Sequence, residues 1–399
     1  MNVIFIVLDS VRFYKFGCCG SMEGLTPFID RLSKRGVLFD NAISQGNCTD
    51  PSLWSIFTSK FPSEHGVLAN AWNPRENFKT MTDFLKQGRN TCVVSSSNHH
   101  DKYLQESKNQ LFDGFGTQLN VNPESYYTIE RFAPKLNVLL RYFGVFNGFW
   151  RRDKETNRKA INWIKERNQE DFYLFVHYCD AHPTYEEFTY EQEIQNLDNS
   201  VKELVKTVIL QGILNKTLIV LTVDHGAWLD DLEIDSLLSD KIVRVPLIFV
   251  NPMLPSKKIS KQVRLIDILP TVLDVLGEKS YTNFSGVSLM PLIKEEIYLF
   301  PEFAVSEGTL SRPEEKSIRC KDWKYVFRKD NQDELFCLKV DPLEENNLIE
   351  KEKDKAAELK RELFKLIKEN QVVQKQEYNE IIERELLKMG YLKKEAVGK

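Results

Sequence analysis

Short runs of apolar residues recur along the chain and alternate with stretches in which apolar positions return every three or four residues. Runs of five or six residues, rich in β-branched side chains, are typical of strands buried on both faces of a sheet. Alternation of such strands with amphipathic helices predicts a largely parallel sheet covered by helices on both faces. The predicted strands are NVIFIVLD, TCVVSS, FYLFVHY, TLIVLTVD and VPLIFV, and the predicted helices lie in TPFIDRLSKRG, TNRKAINWIKERN and LDNSVKELVKTVILQG.

The pattern changes near residue 300. The segment IRCKDWKYVFRKDNQDELFCLKVDP indicates strands joined by a polar turn, which is typical of a small antiparallel unit. The following charged stretch predicts an amphipathic helix whose apolar face consists of Leu359, Leu363, Leu366 and Ile367. The sequence therefore predicts three parts: an α/β domain over 1–300, a β subdomain over 301–349 and a charged helical tail over 350–399.

Composition excludes some classes of function. The 399 residues include 42% apolar and 28% charged residues, and the net charge is −4. This balance gives no basic surface for nucleic acid. No apolar run reaches the roughly 18 residues that a membrane span needs, so we expect neither a nucleic-acid partner nor a membrane segment. The oligomeric state is left open.

Two features predict a cytoplasmic location. The start MNVIFIVLD passes from apolar residues into an aspartate, with no basic region before it and no cleavage site of small residues after it. The seven cysteines form no CxxC pair, and an odd number without a secretion signal favours reduced thiols.

Acidic and histidine side chains follow three of the predicted strands. Asp9 ends the first strand, Asp224 and His225 end a later one, and His182 follows a third. The carboxyl ends of parallel strands meet at one edge of a sheet, where reactive groups gather. Carboxylates and an imidazole there suit a divalent metal, and Gly226 would let the backbone turn closely behind them. Each aspartate alone could instead cap a helix.

Three further residues belong near this edge. Asp180 and Asp231 are additional candidate ligands. His177 lies on an apolar strand, and a histidine in that position is expected to be a satisfied core residue.

A reactive-looking stretch lies at residues 47–66, NCTDPSLWSIFTSKFPSEHG. Cys48 or Thr49 could be a nucleophile, or the stretch could only join a strand to a helix. An alcohol beside a divalent cation loses its proton more easily. A helix beginning at Thr49 would also favour an anion there, although a threonine at this place is commonly an N-cap.

The segment TDPSLWSIFTSKFPSEHGV resembles the signature of the sulfatase family, within the alkaline phosphatase superfamily. Alignment on Thr58, Pro62 and His65 places Thr49 at the nucleophile position and Leu53 where the family has arginine. NVIFIVLDSVR, TLIVLTVDHG and WKYVF followed by ELFCLKVDPLEENNL are similar to other family segments. The resemblance implies a sulfatase-like α/β/α sandwich with a mixed, mainly parallel sheet and a small C-terminal antiparallel subdomain.

The chain also departs from the family pattern. Typical sulfatases oxidise a cysteine to formylglycine, but Cys48 is one residue out of register with Pro51, which argues against that modification. Typical members have Asp-Asp on the first strand, where this chain has aspartate followed by Ser10. Many have Asp-Asn on the later strand, where it has Asp-His. A sulfate-contacting lysine of the family aligns with Ser96.

The altered pattern resembles single-metal phosphotransferases of the same superfamily. That resemblance implies that Asp9, Thr49, Asp224 and His225 surround one divalent ion, with Mn²⁺, Zn²⁺, Ca²⁺ and Mg²⁺ as candidates. His182 keeps the position of a family histidine that contacts the transferred group and the leaving oxygen. Asn98 is a candidate for contact with a bound anion.

The expected activity is hydrolysis of sulfate or phosphate esters of a small molecule or glycan. Thr49 would form a covalent ester, and His182 would protonate the leaving alcohol. A threonine sulfate is hard to hydrolyse, which favours phosphate on mechanistic grounds. The alternatives are a phosphotransferase resembling phosphoglycerol or phosphoethanolamine transferases, a true sulfatase with formylglycine at position 48, and a degenerate binding protein.

Overall fold

The fold consists of a large mixed sheet between two layers of helices, followed by a small antiparallel sheet. The computed structural model describes residues 1–70, 74–96, 152–167, 170–182, 188–227, 236–278, 283–308, 314–329 and 332–367, and the backbone of residues 110–113.

The strand order of the large sheet is β4-β3-β5-β1-β6-β7-β2-β8, and β9 also pairs with β2. β7 is antiparallel to both of its neighbours, whereas β4, β3, β5, β1 and β6 pair in parallel. The mixed, mainly parallel sheet and all five predicted strands are therefore confirmed. The strands are β1 Asn2–Leu8, β2 Val37–Ile43, β3 Asn90–Ser95, β4 Gln110–Asp113, β5 Phe172–Tyr178, β6 Thr217–Val223, β7 Arg244–Val250, β8 Lys257–Ile259 and β9 Val263–Arg264.

Helices cover both faces of this sheet. On β5, the Phe175 ring lies 5.0 Å from Phe57 of α2, and the Phe172 ring lies 5.3 Å from Trp163 of α5. Residues three apart on a strand point to opposite faces, so α2 and α5 lie on opposite sides. The helices are α1 Pro27–Ser33, α2 Thr49–Thr58, α3 Pro62–His65, α4 Met81–Leu85, α5 Asp153–Glu166, α6 Tyr190–Leu210, α7 Asp240–Val243, α8 Ile268–Val275, α9 Met290–Ile293 and α10 Lys353–Leu366.

The three central strands are buried along their whole length, which explains why their sequences are nearly continuous apolar runs. Val7 of β1 pairs with His177 of β5 on one side and with Thr222 of β6 on the other. The carboxyl ends of β5, β1 and β6 therefore lie side by side. Within the described ranges, we find no helix with both the length and the apolar character that a membrane crossing requires.

The C-terminal part is an antiparallel sheet with one helix packed on it. Leu359 and Leu363 of α10 belong to one buried cluster with Tyr325 and Leu335. Ile367 is also buried, as predicted, but Leu366 is 38% exposed, because the contacting face follows positions 359, 363 and 367, four residues apart. The domain boundaries at 300 and 349 remain predictions. The strands are β10 Phe303–Glu307, β11 Glu315–Cys320, β12 Trp323–Arg328 and β13 Glu334–Cys337.

A buried ionic cluster connects this subdomain to the large domain. Lys324 of β12 is fully buried, and its Nζ lies 2.9 Å from Asp240 Oδ1 and 2.8 Å from Glu344 Oε1. Arg319 Nη2 lies 3.1 Å from Asp240 Oδ2. Burial alone would raise the pKa of Asp240, but Arg319 and then Lys324 hold that pKa below its usual range. Asp240 begins α7, so the subdomain holds α7 in place.

Candidate active site

Two buried carboxylates lie at the edge formed by β1 and β6. Asp9 follows β1 and Asp224 follows β6, and both are fully buried. The Ser10 N–H donates to Asp224 Oδ1 at 3.2 Å, and the Ser10 hydroxyl donates to Asp9 Oδ1 at 2.6 Å. Ser10 has a φ of 57°, which is uncommon for a residue other than glycine. This turn allows one serine to orient both carboxylates.

The His225 ring faces the same carboxylates. Its Nδ1 lies 3.0 Å from the carbonyl oxygen of Gly226, and because a carbonyl only accepts, Nδ1 must carry the proton. Nε2 therefore presents its lone pair, 3.5 Å from Asp224 Oδ2 and 3.9 Å from Asp9 Oδ1. Metal-binding histidines typically have this arrangement: one ring nitrogen donates to a backbone carbonyl, and this bond holds the other nitrogen towards the metal.

Gly226 allows the turn behind His225 to pack closely on α7. The Gly226 N–H donates to the Ile242 carbonyl at 2.7 Å. A Cβ atom at position 226 would lie 2.1 Å from the Lys241 carbonyl oxygen. The predicted role of this glycine in a close backbone approach is therefore confirmed.

Thr49 is the first residue of α2, and its side chain points to the carboxylates. Its Oγ1 lies 3.5 Å from Asp9 Oδ2 and 3.3 Å from His225 Nε2. Cys48, not Thr49, occupies the N-cap position of α2. The N-cap interpretation of Thr49 is therefore wrong, whereas the predicted helix start is confirmed. The end of α2 that favours an anion lies at this hydroxyl.

Among the described residues, no lysine or arginine balances the charge of the two carboxylates. Burial, and then the charge of Asp224, raise the pKa of Asp9 to about 8. Burial raises the pKa of Asp224 to about 7 and lowers that of His225. No lysine or arginine in the described ranges forms an ion pair with either carboxylate. Two buried like charges without a counter-ion are costly.

The donor set fits a divalent metal ion. Asp224 Oδ2 is buried and has no hydrogen-bond partner within 3.5 Å among the described residues. The ligand atoms of Asp9, Asp224 and His225 lie within 4.8 Å of one another. Carboxylate oxygens, one imidazole and the nearby hydroxyl of Thr49 are ordinary ligands of Mn²⁺ and Zn²⁺. The structure therefore brings together all four residues that the sequence suggested for a metal.

Sequence reasoning missed two residues on β5 and the turn that follows it. His177 Nε2 lies 3.7 Å from Asp9 Oδ2, and Cys179 Sγ lies 3.3 Å from His177 Nδ1. His177 is buried, as expected of a core histidine, but it also borders the site. The available signal was period-two spacing, which places His177 on the same face of β5 as Phe175.

The other candidates have mixed outcomes. His182 is buried in the turn after β5, where its N–H donates to the Cys179 carbonyl at 2.9 Å; its catalytic role stays a prediction. Asp180 does not join the metal ligands, because its Oδ1 accepts from the Asp153 N–H at 3.1 Å and its Oδ2 pairs with Arg152 at 3.2 Å. Asn98 and Asp231 lie outside the described residues.

Two positions that carry cations in the resembling family carry none here. Leu53 is buried in the core, and the Ser96 hydroxyl donates to Asp153 Oδ1 at 2.6 Å. Cys48 is buried beside the site, and burial, followed by Asp50 and Asp224, raises the pKa of its thiol well above the usual value. The Cys48 sulfur is therefore protonated and a poor nucleophile.

Comparison with known proteins gives a consistent result. The Sulfatase family model matches residues 1–278, and the model of the C-terminal part of N-sulphoglucosamine sulphohydrolase matches residues 228–373. An ulvan-active sulfatase of Formosa agariphila is 24% identical over 73% of this chain. That alignment covers 57% of the relative, so the chain spans little more than half of its length.

Solved structures share the fold. A complex with the substrate D-glucosamine-2-N,6-O-disulfate has a TM-score of 0.72 at 17% identity, covering 94% of this chain and 99% of the other. The phosphonate monoester hydrolase of Agrobacterium radiobacter also has a TM-score of 0.72 at 17% identity, covering 92% and 95%. At these identities the likeness establishes the sulfatase-like sandwich alone.

Proposed function

This chain belongs to the sulfatase family, and on that premise we propose that it is a metal-dependent hydrolase of sulfuric or phosphoric esters with Thr49 as the nucleophile. The observation that carries the proposal is the position of Thr49 Oγ1, 3.5 Å from Asp9 Oδ2 and 3.3 Å from His225 Nε2. A hydroxyl at the start of a helix, beside a metal-ligand set, is the arrangement that an activated alcohol requires.

In the proposed reaction, Thr49 transfers its hydroxyl proton to Asp9, and its Oγ bonds to the sulfur or phosphorus of the ester. The bond from that atom to the alcohol oxygen breaks, and His182 gives a proton to the departing oxygen. Water then attacks the sulfur or phosphorus of the threonine ester and gives a proton to His182, the bond to Thr49 Oγ breaks with release of sulfate or phosphate, and Oγ takes back its proton from Asp9. A divalent cation held by Asp9, Asp224 and His225 would neutralise charge on the ester oxygens.

A sulfate ester of a sugar is the first candidate substrate. The ulvan-active relative is named a sulfatase, and a structural neighbour was solved with a disulfated glucosamine. Sulfate esters of other small molecules belong to the same class of substrate.

A phosphoric or phosphonic ester is the second candidate. Threonine replaces the family's cysteine, and a threonine sulfate lacks the elimination route that formylglycine provides. Another neighbour of similar TM-score is a phosphonate monoester hydrolase. The missing cations at positions 53 and 96 also weaken the case for a sulfate site of the usual kind.

The test is turnover of para-nitrophenyl sulfate, para-nitrophenyl phosphate and a phosphodiester, with Mn²⁺, Zn²⁺, Mg²⁺ or Ca²⁺ added to metal-free protein. We expect metal-dependent turnover that is lost in Thr49→Ala and kept in Cys48→Ala. Cys48 is the matched control, because it neighbours Thr49 and is the residue that formylglycine chemistry would need. Loss of turnover in Cys48→Ala, with an intact-mass change that marks formylglycine, would refute the threonine mechanism.

Two further readouts separate the remaining alternatives. An acceptor alcohol such as glycerol, added to the assay, would yield a transferred phosphate ester if the protein is a phosphotransferase. Absence of both turnover and stoichiometric metal would favour a binding protein that retained the fold.

A further inference from the structure

We infer that Tyr190 is a positioning residue for the metal ligands, because its hydroxyl closes the turn that carries Asp9. Tyr190 is the first residue of α6, on a segment remote in sequence from this turn. The inference rests on the proposed function in one respect, because it takes Asp9 and Asp224 as metal ligands. Tyr190 acts through the main chain of the turn and is not itself a ligand.

The Tyr190 hydroxyl joins two main-chain groups of the turn after β1. It donates to the Ser10 carbonyl oxygen at 2.9 Å, because a carbonyl only accepts, and it accepts from the Arg12 N–H at 2.9 Å. Both lengths are those of well-formed hydrogen bonds. One hydroxyl therefore bridges the main chain on either side of Val11.

The turn depends on such support because of the backbone at Ser10. Its φ of 57° lies in the left-handed region, which a residue other than glycine keeps only where its surroundings impose it. Ser10 holds Asp224 through its N–H and Asp9 through its hydroxyl, while its carbonyl is held by Tyr190. Loss of this last bond would let the backbone relax and would move both carboxylates out of their present orientation.

Arg12 extends the connection to the turn that carries His225. Its side chain is buried, and its Nε donates to the Ala227 carbonyl oxygen at 3.0 Å. Ala227 lies two residues after His225. By fixing the main chain of Arg12, the Tyr190 hydroxyl therefore also fixes the base of the side chain that connects the two ligand-bearing turns.

A role in the start of α6 does not explain this hydroxyl. That start has a capping box of its own, in which the Gln192 N–H donates to Thr189 Oγ1 at 3.3 Å and the Thr189 N–H donates to Gln192 Oε1 at 2.9 Å. Both hydrogen bonds that the Tyr190 hydroxyl makes with described residues go to the turn after β1. The hydroxyl therefore serves the site rather than the helix.

The experiment measures metal binding by Tyr190→Phe, which removes the hydroxyl and keeps the ring. Co²⁺ is added to the metal-free 399-residue protein, its affinity is measured by chelator competition, and the visible absorption of the bound ion is recorded. We expect the affinity to fall about 10–100-fold, the usual loss when a group that orients a ligand is removed. We also expect a changed cobalt absorption band, because the band reports the geometry of the ligands.

Tyr178→Phe is the matched control. Tyr178 is fully buried at the end of β5, and its hydroxyl donates to Asn157 Oδ1 on α5 at 2.7 Å. Both variants lose one tyrosine hydroxyl, but Tyr178→Phe should keep the metal affinity and the cobalt band. Unchanged affinity in Tyr190→Phe, or an equal loss in Tyr178→Phe, would overturn the inference.

Hydrogen exchange of the unaltered protein covers the case in which Tyr190→Phe fails to fold. The Arg12 amide should exchange slowly even without metal, because the Tyr190 hydroxyl accepts from it. Rapid exchange of that amide in the metal-free protein would contradict a turn that is held in place before the metal binds.

The outcomes also separate this inference from the proposed function. Turnover that Thr49→Ala abolishes, together with unchanged cobalt affinity in Tyr190→Phe, would refute the positioning role alone. A protein that is inert towards every ester, but loses cobalt affinity in Tyr190→Phe, would refute the proposed function alone. Absence of metal binding by the unaltered protein would refute both.

Discussion

Replacement of Gly226 by alanine tests how far the site depends on the close approach between the Asp224–His225 turn and α7. An added Cβ would lie 2.1 Å from the Lys241 carbonyl oxygen, 3.1 Å from its carbonyl carbon and 3.2 Å from Ile242 Cα. Real Cβ contacts essentially never fall below 3.0 Å. The difference, 3.0 minus 2.1 Å, requires the turn or α7 to move by about 0.9 Å. The nearest atom is a main-chain oxygen, which cannot rotate away as the end of a side chain can.

A displacement of this size acts on both binding and catalysis. His225 follows Asp224 directly and precedes the glycine, so its Nε2 moves with the turn. Misplacement by about 1 Å costs on the order of 100-fold in rate, and we expect that loss in Gly226→Ala. Disturbed support of a ligand lowers metal affinity by about 10–100-fold, and overpacking costs about 1–3 kcal/mol of unfolding free energy.

The assay compares turnover, metal content and urea unfolding of Gly226→Ala with those of Gly308→Ala. Gly308 is the matched control, because its added Cβ would meet the nearest atom, Glu315 Cβ, at an ordinary 3.4 Å. We expect Gly308→Ala to behave like the unaltered protein. Normal metal affinity and normal turnover in Gly226→Ala would refute the reasoning.

Three other predictions follow from contacts in the structure. Ser10→Ala removes the hydroxyl that holds Asp9, and metal affinity, measured by chelator competition, should fall about 10–100-fold; unchanged affinity would exclude an orienting role. Lys324→Met leaves the largely buried carboxylates of Asp240 and Glu344, 11% and 5% exposed, without their lysine. It should cost about 3 kcal/mol in urea unfolding, and a loss below about 1 kcal/mol would contradict this. Because the folded pKa of Asp240 lies below its unfolded value, its stabilisation is complete above about pH 4 and is lost as the pH falls further. The difference in unfolding free energy between the unaltered protein and Asp240→Asn should therefore shrink from pH 5 towards pH 2, and a constant difference would refute it.

The parts of the site that the sequence predicts are those fixed by local pattern. Asp9 and Asp224 each end an apolar strand, and parallel strands bring their carboxyl ends to one edge whatever their order. His177 depends on which strand lies beside β1, because only the pairing of Val7 with His177 places its ring next to Asp9. A single sequence does not encode that neighbour in any local pattern, so the ring cannot be distinguished from a core histidine.

Ser10 and Leu366 illustrate two other sources of error. The link that Ser10 makes between the carboxylates requires a left-handed backbone at a residue that is not glycine, and no propensity favours it. Leu366 fits the apolar face by spacing, since residues three and four apart on a helix are both neighbours. The buried positions are 359, 363 and 367 instead. They depend on the shape of the small sheet against which the helix packs, and helical spacing alone does not predict that shape.

The departures from the family pattern at positions 10 and 225 change both the charge of the site and the type of metal ligand. The family's Asp-Asp and Asp-Asn pairs give three carboxylates, whereas Asp-Ser and Asp-His give two carboxylates and one imidazole. Oxygen-only ligands suit Ca²⁺ and Mg²⁺, and an imidazole shifts the preference towards Mn²⁺ or Zn²⁺. A softer, stronger Lewis acid is also what an unmodified threonine needs, because its hydroxyl has a higher pKa than the hydrate of formylglycine. Under the proposed function, threonine at position 49 and histidine at position 225 fit a single shift in mechanism, from an oxidised cysteine with cationic side chains to an alcohol activated by its metal.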